Sequence, residues 1–332
     1  MLTGRTDTLP NDIREQKRKM IVIAGPTAAG KTKLSVELAK AVGGEILSAD
    51  SMQVYRGMDI GSAKVLPEEM GGIRHHLIDI LDPTEEFHVA KFRQLAQEAM
   101  DREIYPTGHI PVMTGGTGFY IQSVLYGIDF EDDICPADAE VRKRLEEEGE
   151  TPEGQEAQWK RLLSVDPKSC EKIHPNNRKR VIRALEYFET TGRPISEHNE
   201  SEKTRISPYD YVFFVLNVPD RARLYARIDE RVEKMMAEGL LEEVRRLREA
   251  GVTKTMTSMQ GIGYKELYRA LDGECTVSEA VEEIKKNTRH FAKRQLTWFR
   301  NFRDPSLIWL DAEDPELLTK ALDCLKQRKL IQ

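Results

Sequence analysis

The chain has 332 residues, of which 39% are hydrophobic and 32% charged, with a formal net charge of −6. This length and balance suit a folded protein of one large or two moderate domains. The net acidity argues against bulk nucleic-acid binding unless local basic patches overrule the total, and no apolar run reaches membrane-spanning length.

Residues 1–19 are polar, lack the apolar core of a signal peptide and are expected to form a flexible tail. Residues 20–24 (M-I-V-I-A) read as a short strand, and 33–42 carry the apolar spacing of an amphipathic helix stopped by Gly43 and Gly44. Between them stand Gly25, Pro26, Thr27, Ala28, Ala29, Gly30, Lys31 and Thr32, which match the phosphate-loop spacing G-x-x-x-x-G-K-[ST]. Glycines let the backbone curl so that successive N–H groups face one anion, and the helix N-terminus adds partial positive charge. Lys31 supplies a full cation, and the Thr32 hydroxyl is placed to ligate Mg²⁺. The loop predicts binding of a polyphosphate or diphosphate without saying which.

Further strands are expected at 45–50, 77–81 and 110–113, the last running into Thr114-Gly115-Gly116-Thr117-Gly118. Residues 87–105 predict a helix with Val89, Phe92, Leu95, Ala96, Met100 and Ile104 on one face. Such alternation predicts an α/β fold, a parallel sheet with helices on both faces and ligands at the strand C-termini. Residues 136–205 are charged, mostly helical and without a convincing strand, as in a helical insertion. Strand character returns at 211–218, followed by long helices near 220–250 and 278–303, a strand at 307–310 and a helix at 315–326. The expected division is a tail (1–19), a core (20–135 with 206–332) and an all-helical insertion (136–205). Cys135, Cys170, Cys275 and Cys324 form no C-x-x-C pair, so neither zinc nor a disulfide framework is suggested and a reduced cytoplasm is the simplest setting.

Asp50, at an expected strand end, is a candidate proton acceptor; a helix cap or an outer magnesium contact is the plainer alternative. Thr117 sits in a glycine-rich turn where a hydroxyl can approach a phosphate oxygen, though many turns look alike. Arg223, Arg227 and Arg231 share a helix face that could hold a leaving diphosphate or be merely solvated. Two basic segments, 176–183 and 287–295, the second close to Trp298 and Phe299, suit single-stranded RNA, with decorated core helices as the plainer alternative.

In ordered combination these segments resemble the tRNA dimethylallyltransferase family, the isopentenyl transferases of bacterial type. The resemblance runs from about Ile21 to Leu310 through G-P-T-A-A-G-K-T, S-A-D-S-M-Q-V-Y-R-G-M-D-I-G-S-A-K, H-L-I-D-I-L-D-P, G-G-T-G-F-Y, I-H-P-N-N-R-K-R-V-I-R-A-L-E, L-Y-A-R-I-D-E-R-V, Q-G-I-G-Y-K-E and T-R-H-F-A-K-R-Q-L-T-W. It implies a P-loop, kinase-like core whose insertion grips the anticodon stem-loop of tRNA, dimethylallyl diphosphate as donor, and Mg²⁺ as helper. Asp50 then matches the base for the adenine N6 amine, and Thr117 and Arg227 match residues acting on the diphosphate. Ser51, Met52 and Gln53 match tRNA contacts, as do Arg142 and the run Lys179, Arg180, Val181, Ile182 and Arg183. So do Gln260, Gly261, Ile262, Gly263, Tyr264 and Lys265, and Arg289, Lys293 and Arg294. His290 stands where the family often has Gln. No C-terminal zinc finger of the eukaryotic kind is visible, and a monomer without membrane attachment is expected. Three rivals stay open on the residues alone: a small-molecule kinase, a nucleotide-dependent RNA-binding switch, and an enzyme that prenylates free adenine nucleotides.

Overall fold

Residues 20–24 are wholly buried apolar side chains, which places their strand at the centre of a sheet rather than at its edge. In the computed structural model, which describes residues 17–128, 137–202 and 205–332, that strand is β1 (Arg18–Ala24). It pairs in parallel with β4 (Ile110–Gly115) on one side and β5 (Tyr209–Asn217) on the other. With β2 (Gly44–Ser48), β3 (His75–His76) and β6 (Leu307–Asp311) it forms a six-stranded sheet, every pair parallel, in the order β3-β2-β4-β1-β5-β6. Because β4 lies between β1 and β2, the chain leaves β1 in one direction and later extends the sheet on the other side, the arrangement that opens a crevice at the strand C-termini.

The helices of the core are α1 (Lys31–Val42), α2 (Val89–Ala99), α3 (Gly118–Leu125), α9 (Arg221–Ala237), α10 (Leu240–Glu249), α11 (Tyr264–Leu271), α12 (Val277–Asn301) and α13 (Leu317–Gln327). Ile21, Ile23, Leu34, Leu38, Val112, Phe214 and Leu216 share one apolar cluster between the sheet, α1 and α13.

The chain divides into two units, one of residues 1–125 with 208–332 and one of 126–207. The second unit carries α4 (Ala137–Glu148), α5 (Pro152–Val165), α6 (Pro167–Cys170), α7 (Arg178–Thr191) and α8 (Ile195–Glu202). Its own core is Leu145, Leu162, Val181, Ile182, Ala184 and Leu185. Each of the buried leucine, isoleucine and valine side chains contributes about 1.5–3 kcal/mol relative to exposure. Asn177 caps α7, its side chain accepting from the Arg180 amide, and Gly192 ends it.

Four expectations are corrected. The strand at 77–81 does not form, because Leu77 and Asp79 have φ of 63° and 56°, incompatible with extended backbone. Only His75–His76 pairs with β2, while Leu81 makes an isolated bridge to Tyr55. The helix at 87–105 is α2 followed by a π-helical turn at Met100–Ile104 and a tight turn at Tyr105–Thr107, where Pro106 has no amide to donate. The long helix near 220–250 is two helices, parted at Gly239. The expected tail ends sooner than residue 19, since Arg18 and Lys19 already belong to β1; residues 1–16 lie outside the described residues, as does the expected insertion start at Pro136.

Candidate active site

At the end of β1 the backbone turns at Gly25 with φ of 147°, and a Cβ there would lie 2.7 Å from the Leu216 carbonyl oxygen on β5. Gly30, with φ of 81°, caps α1 without any side chain. The first amides of α1 are therefore available to an anion, and its first turn carries no acidic residue. The Lys31 ammonium folds back over its own loop and donates to Gly25 O at 3.2 Å and Pro26 O at 2.8 Å. Burial pushes its pKa down to about 8, Arg231 adds repulsion, and Asp50 partly opposes both. Burial also lowers the pKa of Arg231, against the attraction of Asp50 and Glu69. Two enclosed cations thus share a small space with one carboxylate.

Asp50 follows β2. Its Oδ1 accepts from the amides of Met52 at 2.8 Å and Gln53 at 3.3 Å, an Asx-type turn that fixes the carboxylate. Gln53 is held by Ser48 Oγ, which donates to its Oε1 at 3.1 Å, and its Nε2 donates to Ser62 O and Ala63 O at 3.4 and 3.3 Å. The turn before Ser62 is tied down by Glu243, only 1% exposed. That carboxylate accepts from the amides of Asp59, Ile60 and Gly61 at 3.0, 2.8 and 3.1 Å and from the Tyr264 hydroxyl at 2.7 Å. Burial and this carboxylate hold the Tyr264 phenol well above its ordinary pKa, so it stays a donor.

Thr117 lies between β4 and α3. One turn on, Tyr120 stacks on Phe92 with centroids 4.7 Å apart and meets Phe87 edge-on at 5.8 Å. Burial, with the Asp50 charge added, pushes its phenol up to about 12. Lys31, Asp50, Gln53, Thr117, Tyr120 and Arg231 all open on one cavity of about 570 Å³ within the core unit. Apolar side chains of Ile228, Val232, Met235, Leu240, Ile284 and Phe291 line the same space.

Of the residues singled out from sequence, the cavity gathers Thr27, Ala28, Ala29, Gly30, Lys31 and Thr32, then Asp50, Ser51, Met52, Gln53 and Thr117. It also gathers Gln260, Gly261, Ile262, Gly263, Lys265 and Arg294. Gly25 and Pro26 are buried beneath the loop rather than lining the cavity.

Arg227 lies outside the lining and ion-pairs with Glu313 at 2.6 Å, alongside Arg223 at 2.9 Å. One turn further on, Arg231 lines the cavity. Val181 and Ile182 are 2% and 3% exposed in the insertion core, so their side chains are not at the surface. Tyr264 is fully buried and bonded to Glu243. Arg289 is paired with Asp229, and Lys293 and His290 are exposed on α12 outside the lining. In the insertion, Arg142 and Arg183 both reach Glu186, at 3.3 and 3.0 Å, while Lys179 and Arg180 are exposed at the start of α7.

Sequence reasoning missed Glu243 and Gln295 and named Arg231 only as a member of the Arg223, Arg227 and Arg231 face. Gln295 stood inside a quoted motif, and Glu243 carried no signal among the charges of its helix.

Among the described residues no three His, Cys, Asp or Glu side chains could jointly hold a metal. The donor set fits a magnesium ion that keeps most of its shell from phosphate and water, with the Thr32 hydroxyl as one protein ligand.

A parallel sheet ending in a phosphate loop, with two cations and a carboxylate in one cavity, defines a P-loop α/β protein acting on a phosphorylated substrate. The family model described as IPP transferase matches residues 53–302, and that described as isopentenyl transferase matches 18–84. A tRNA dimethylallyltransferase of Lachnoclostridium phytofermentans is 52% identical over 317 residues, covering 94% of this chain and 99% of that protein. The crystal structure of the tRNA isopentenylpyrophosphate transferase of Bacillus halodurans is 43% identical, covers 94% of this chain and 98% of its own, and has a TM-score of 0.69. A eukaryotic dimethylallyltransferase crystallised acting on tRNA is 30% identical over 94% of this chain and 78% of its own, with a TM-score of 0.75. The chain belongs to the tRNA dimethylallyltransferase family.

Proposed function

We propose that the protein transfers a dimethylallyl group from dimethylallyl diphosphate to N6 of the adenosine at position 37, 3′-adjacent to the anticodon of tRNA, releasing diphosphate. The observation that carries this reading is the joint placement of Lys31, Arg231 and Asp50 in one cavity beside the phosphate loop. Family membership supplies the reaction class.

In this mechanism the loop amides of α1 take the donor's diphosphate, and the Lys31 ammonium leaves the Gly25 and Pro26 carbonyls for phosphate oxygen. Arg231 meets the same anion from α9, and its charge is worth most where water is excluded. The Thr117 hydroxyl donates to the leaving oxygen. Thr32 would hold a magnesium ion, whose charge offsets part of the diphosphate's when bound. The adenine amine is a poor nucleophile because its lone pair is delocalised into the ring. Asp50 accepts the N6 proton as the N6–C1 bond forms and the C1–O bond breaks, with the departing electron pair leaving on diphosphate. The apolar wall from Ile228 to Phe291 takes the five-carbon tail and keeps water from the allylic carbon.

The target base leaves its stack to reach Asp50, at a cost of a few kcal/mol that is least where it is unpaired, as in an anticodon loop. Phosphate contacts by Lys179, Arg180, Lys293 and Arg294 supply binding energy toward that cost. Ser51, Met52, Gln53 and the Gln260 segment face the cavity beside Asp50, where the base and its neighbours would sit. The protein works as a monomer on the anticodon stem-loop in the cytoplasm.

The test is incubation with dimethylallyl diphosphate and unmodified tRNA, followed by nucleoside mass spectrometry. A single prenylated adenosine next to the anticodon is expected. Prenylated AMP in the absence of tRNA, or phosphate transfer from ATP instead, overturns the reading.

A further inference from the structure

One buried side chain joins the two loops that meet at the donor site. Gln295 of α12 is 6% exposed. Its Oε1 accepts from the Thr27 amide at 3.0 Å, and its Nε2 donates to the Gly116 carbonyl at 3.0 Å. The Thr27 amide can only donate and the Gly116 carbonyl can only accept, so the orientation of the Gln295 amide is fixed by its partners. Neither end can be served by an apolar side chain, and a carboxylate serves only one.

The approach is close enough to set a spacing. A Cβ on Gly116 would lie 2.1 Å from Gln295 Nε2, and a Cβ on Gly118 would lie 2.2 Å from the Trp298 ring, three residues further along α12. Two side chains of one helix therefore press on the turn that carries Thr117. Thr27 belongs to the phosphate loop, whose backbone is held on its other side by β1 and α1. On the same helix, Phe291 and Arg294 line the cavity, with the Arg294 guanidinium 5.7 Å from the Phe291 ring centre.

We propose that Gln295 is a positioning residue that holds the phosphate loop and the Thr117 turn at the separation needed for both to grip one diphosphate as it departs. Both of its polar atoms are engaged by the two loops, although it also borders the cavity. This inference rests on the transfer reading, which it deepens by naming what sets the distance between the two anion-contacting loops. A displacement of about 1 Å in such a pair costs up to roughly 100-fold in rate.

The experiment compares Gln295→Met and Gln295→Glu with the unaltered protein in single-turnover transfer at saturating donor. Affinities for inorganic diphosphate and tRNA are measured in parallel. Gln295→Met keeps the length but leaves a buried amide and carbonyl unpaired, and is expected to transfer about 100-fold more slowly. Its diphosphate affinity should fall about tenfold and its tRNA affinity change by less than about twofold. Gln295→Glu keeps the acceptor for Thr27 but sets a carboxylate against the Gly116 carbonyl. Protonation restores a donor, so the rate of Gln295→Glu divided by that of Gln295→Met should rise as pH falls, while a packing role leaves that ratio flat. Transfer within about threefold of normal in both variants, with only the melting temperature lowered, overturns the proposal. If Gln295→Met does not fold, the pH dependence of Gln295→Glu relative to the unaltered protein decides the matter in the same way. If the unaltered protein transfers no prenyl group, the transfer reading fails, while the loss of diphosphate affinity still tests the spacing of the two loops.

Discussion

The core and the insertion use arginine in opposite ways. In the core, Arg231 is half-buried in the cavity that also holds Lys31, its pKa lowered by desolvation, with Asp50 the carboxylate it shares the cavity with. In the insertion, Arg142, Arg144, Arg161 and Arg183 sit at the surface and pair with Glu186 or Glu189. A desolvated cation with an incomplete partner is costly to keep and strongly attracts an incoming anion. A surface cation is screened by salt, and its pairs contribute little to stability. On the proposed function, the core would carry the chemical step, and the insertion and other exposed basic positions the grip on RNA. The predictions below separate the two roles.

The largest effect belongs to Asp50. Asp50→Ala is expected to lower single-turnover transfer by about 10³-fold, in the range of a lost general base, with both substrates still bound. A rate within about tenfold of normal removes it as the base. Next come the neighbouring arginines of α9. Arg231→Ala should lower the rate by about 10²-fold through lost stabilisation of the leaving diphosphate. Arg227→Ala, which removes one of two surface partners of Glu313, should stay within about threefold. The reverse ranking would mean that the row turns toward the cavity when donor binds.

The third prediction sharpens the grip side. Replacing Lys179 and Arg180 together by Ala should weaken tRNA binding and reduce its salt slope by about one unit for each cation, with the rate at saturating tRNA preserved. An unchanged slope would place the start of α7 away from the RNA. The smallest effect is a proton count. With Lys31 at about 8, roughly half of its ammonium groups are deprotonated at pH 8, and a bound diphosphate favours the charged form. At pH 8, the unaltered protein should take up about half a proton more than Lys31→Met on binding inorganic diphosphate, measured by calorimetry in buffers of different ionisation enthalpy, the difference cancelling the ligand's own protons. The same lowered pKa has a sign for stability. Between about 8 and the ordinary lysine value near 10.5 the unfolded chain binds more protons, so this group's penalty is relieved as pH rises through that window.

Much of the site was legible because its parts are local. The strand, loop and helix around Gly25 and Lys31 are consecutive, so spacing alone specifies an anion cradle. Asp50 and Thr117 were legible by position, each just beyond a strand expected to be parallel. The failures have particular physical causes. Leu77 and Asp79 look like strand residues, yet tertiary contacts hold them at positive φ. Val181 and Ile182 lie within a basic run, but helical period sends them inward while Lys179 and Arg180 stay exposed; the apolar side chains inside that run were the available signal. Arg227 and Arg231 are four residues apart on one helix face, and no sequence pattern says which end meets the cavity.

The order of apolar and polar residues by itself determined the class of sheet, the anion loop and the helical character of the insertion, because short-range sterics and hydrophobic periodicity act between near neighbours. Only the tertiary structure decided which arginine lines the cavity, which carboxylate pins the turn before Gln53, and which amide links Thr27 to Gly116. Those choices join residues up to 268 positions apart. They depend on how whole elements pack, where a few tenths of an ångström separate a hydrogen bond from a clash.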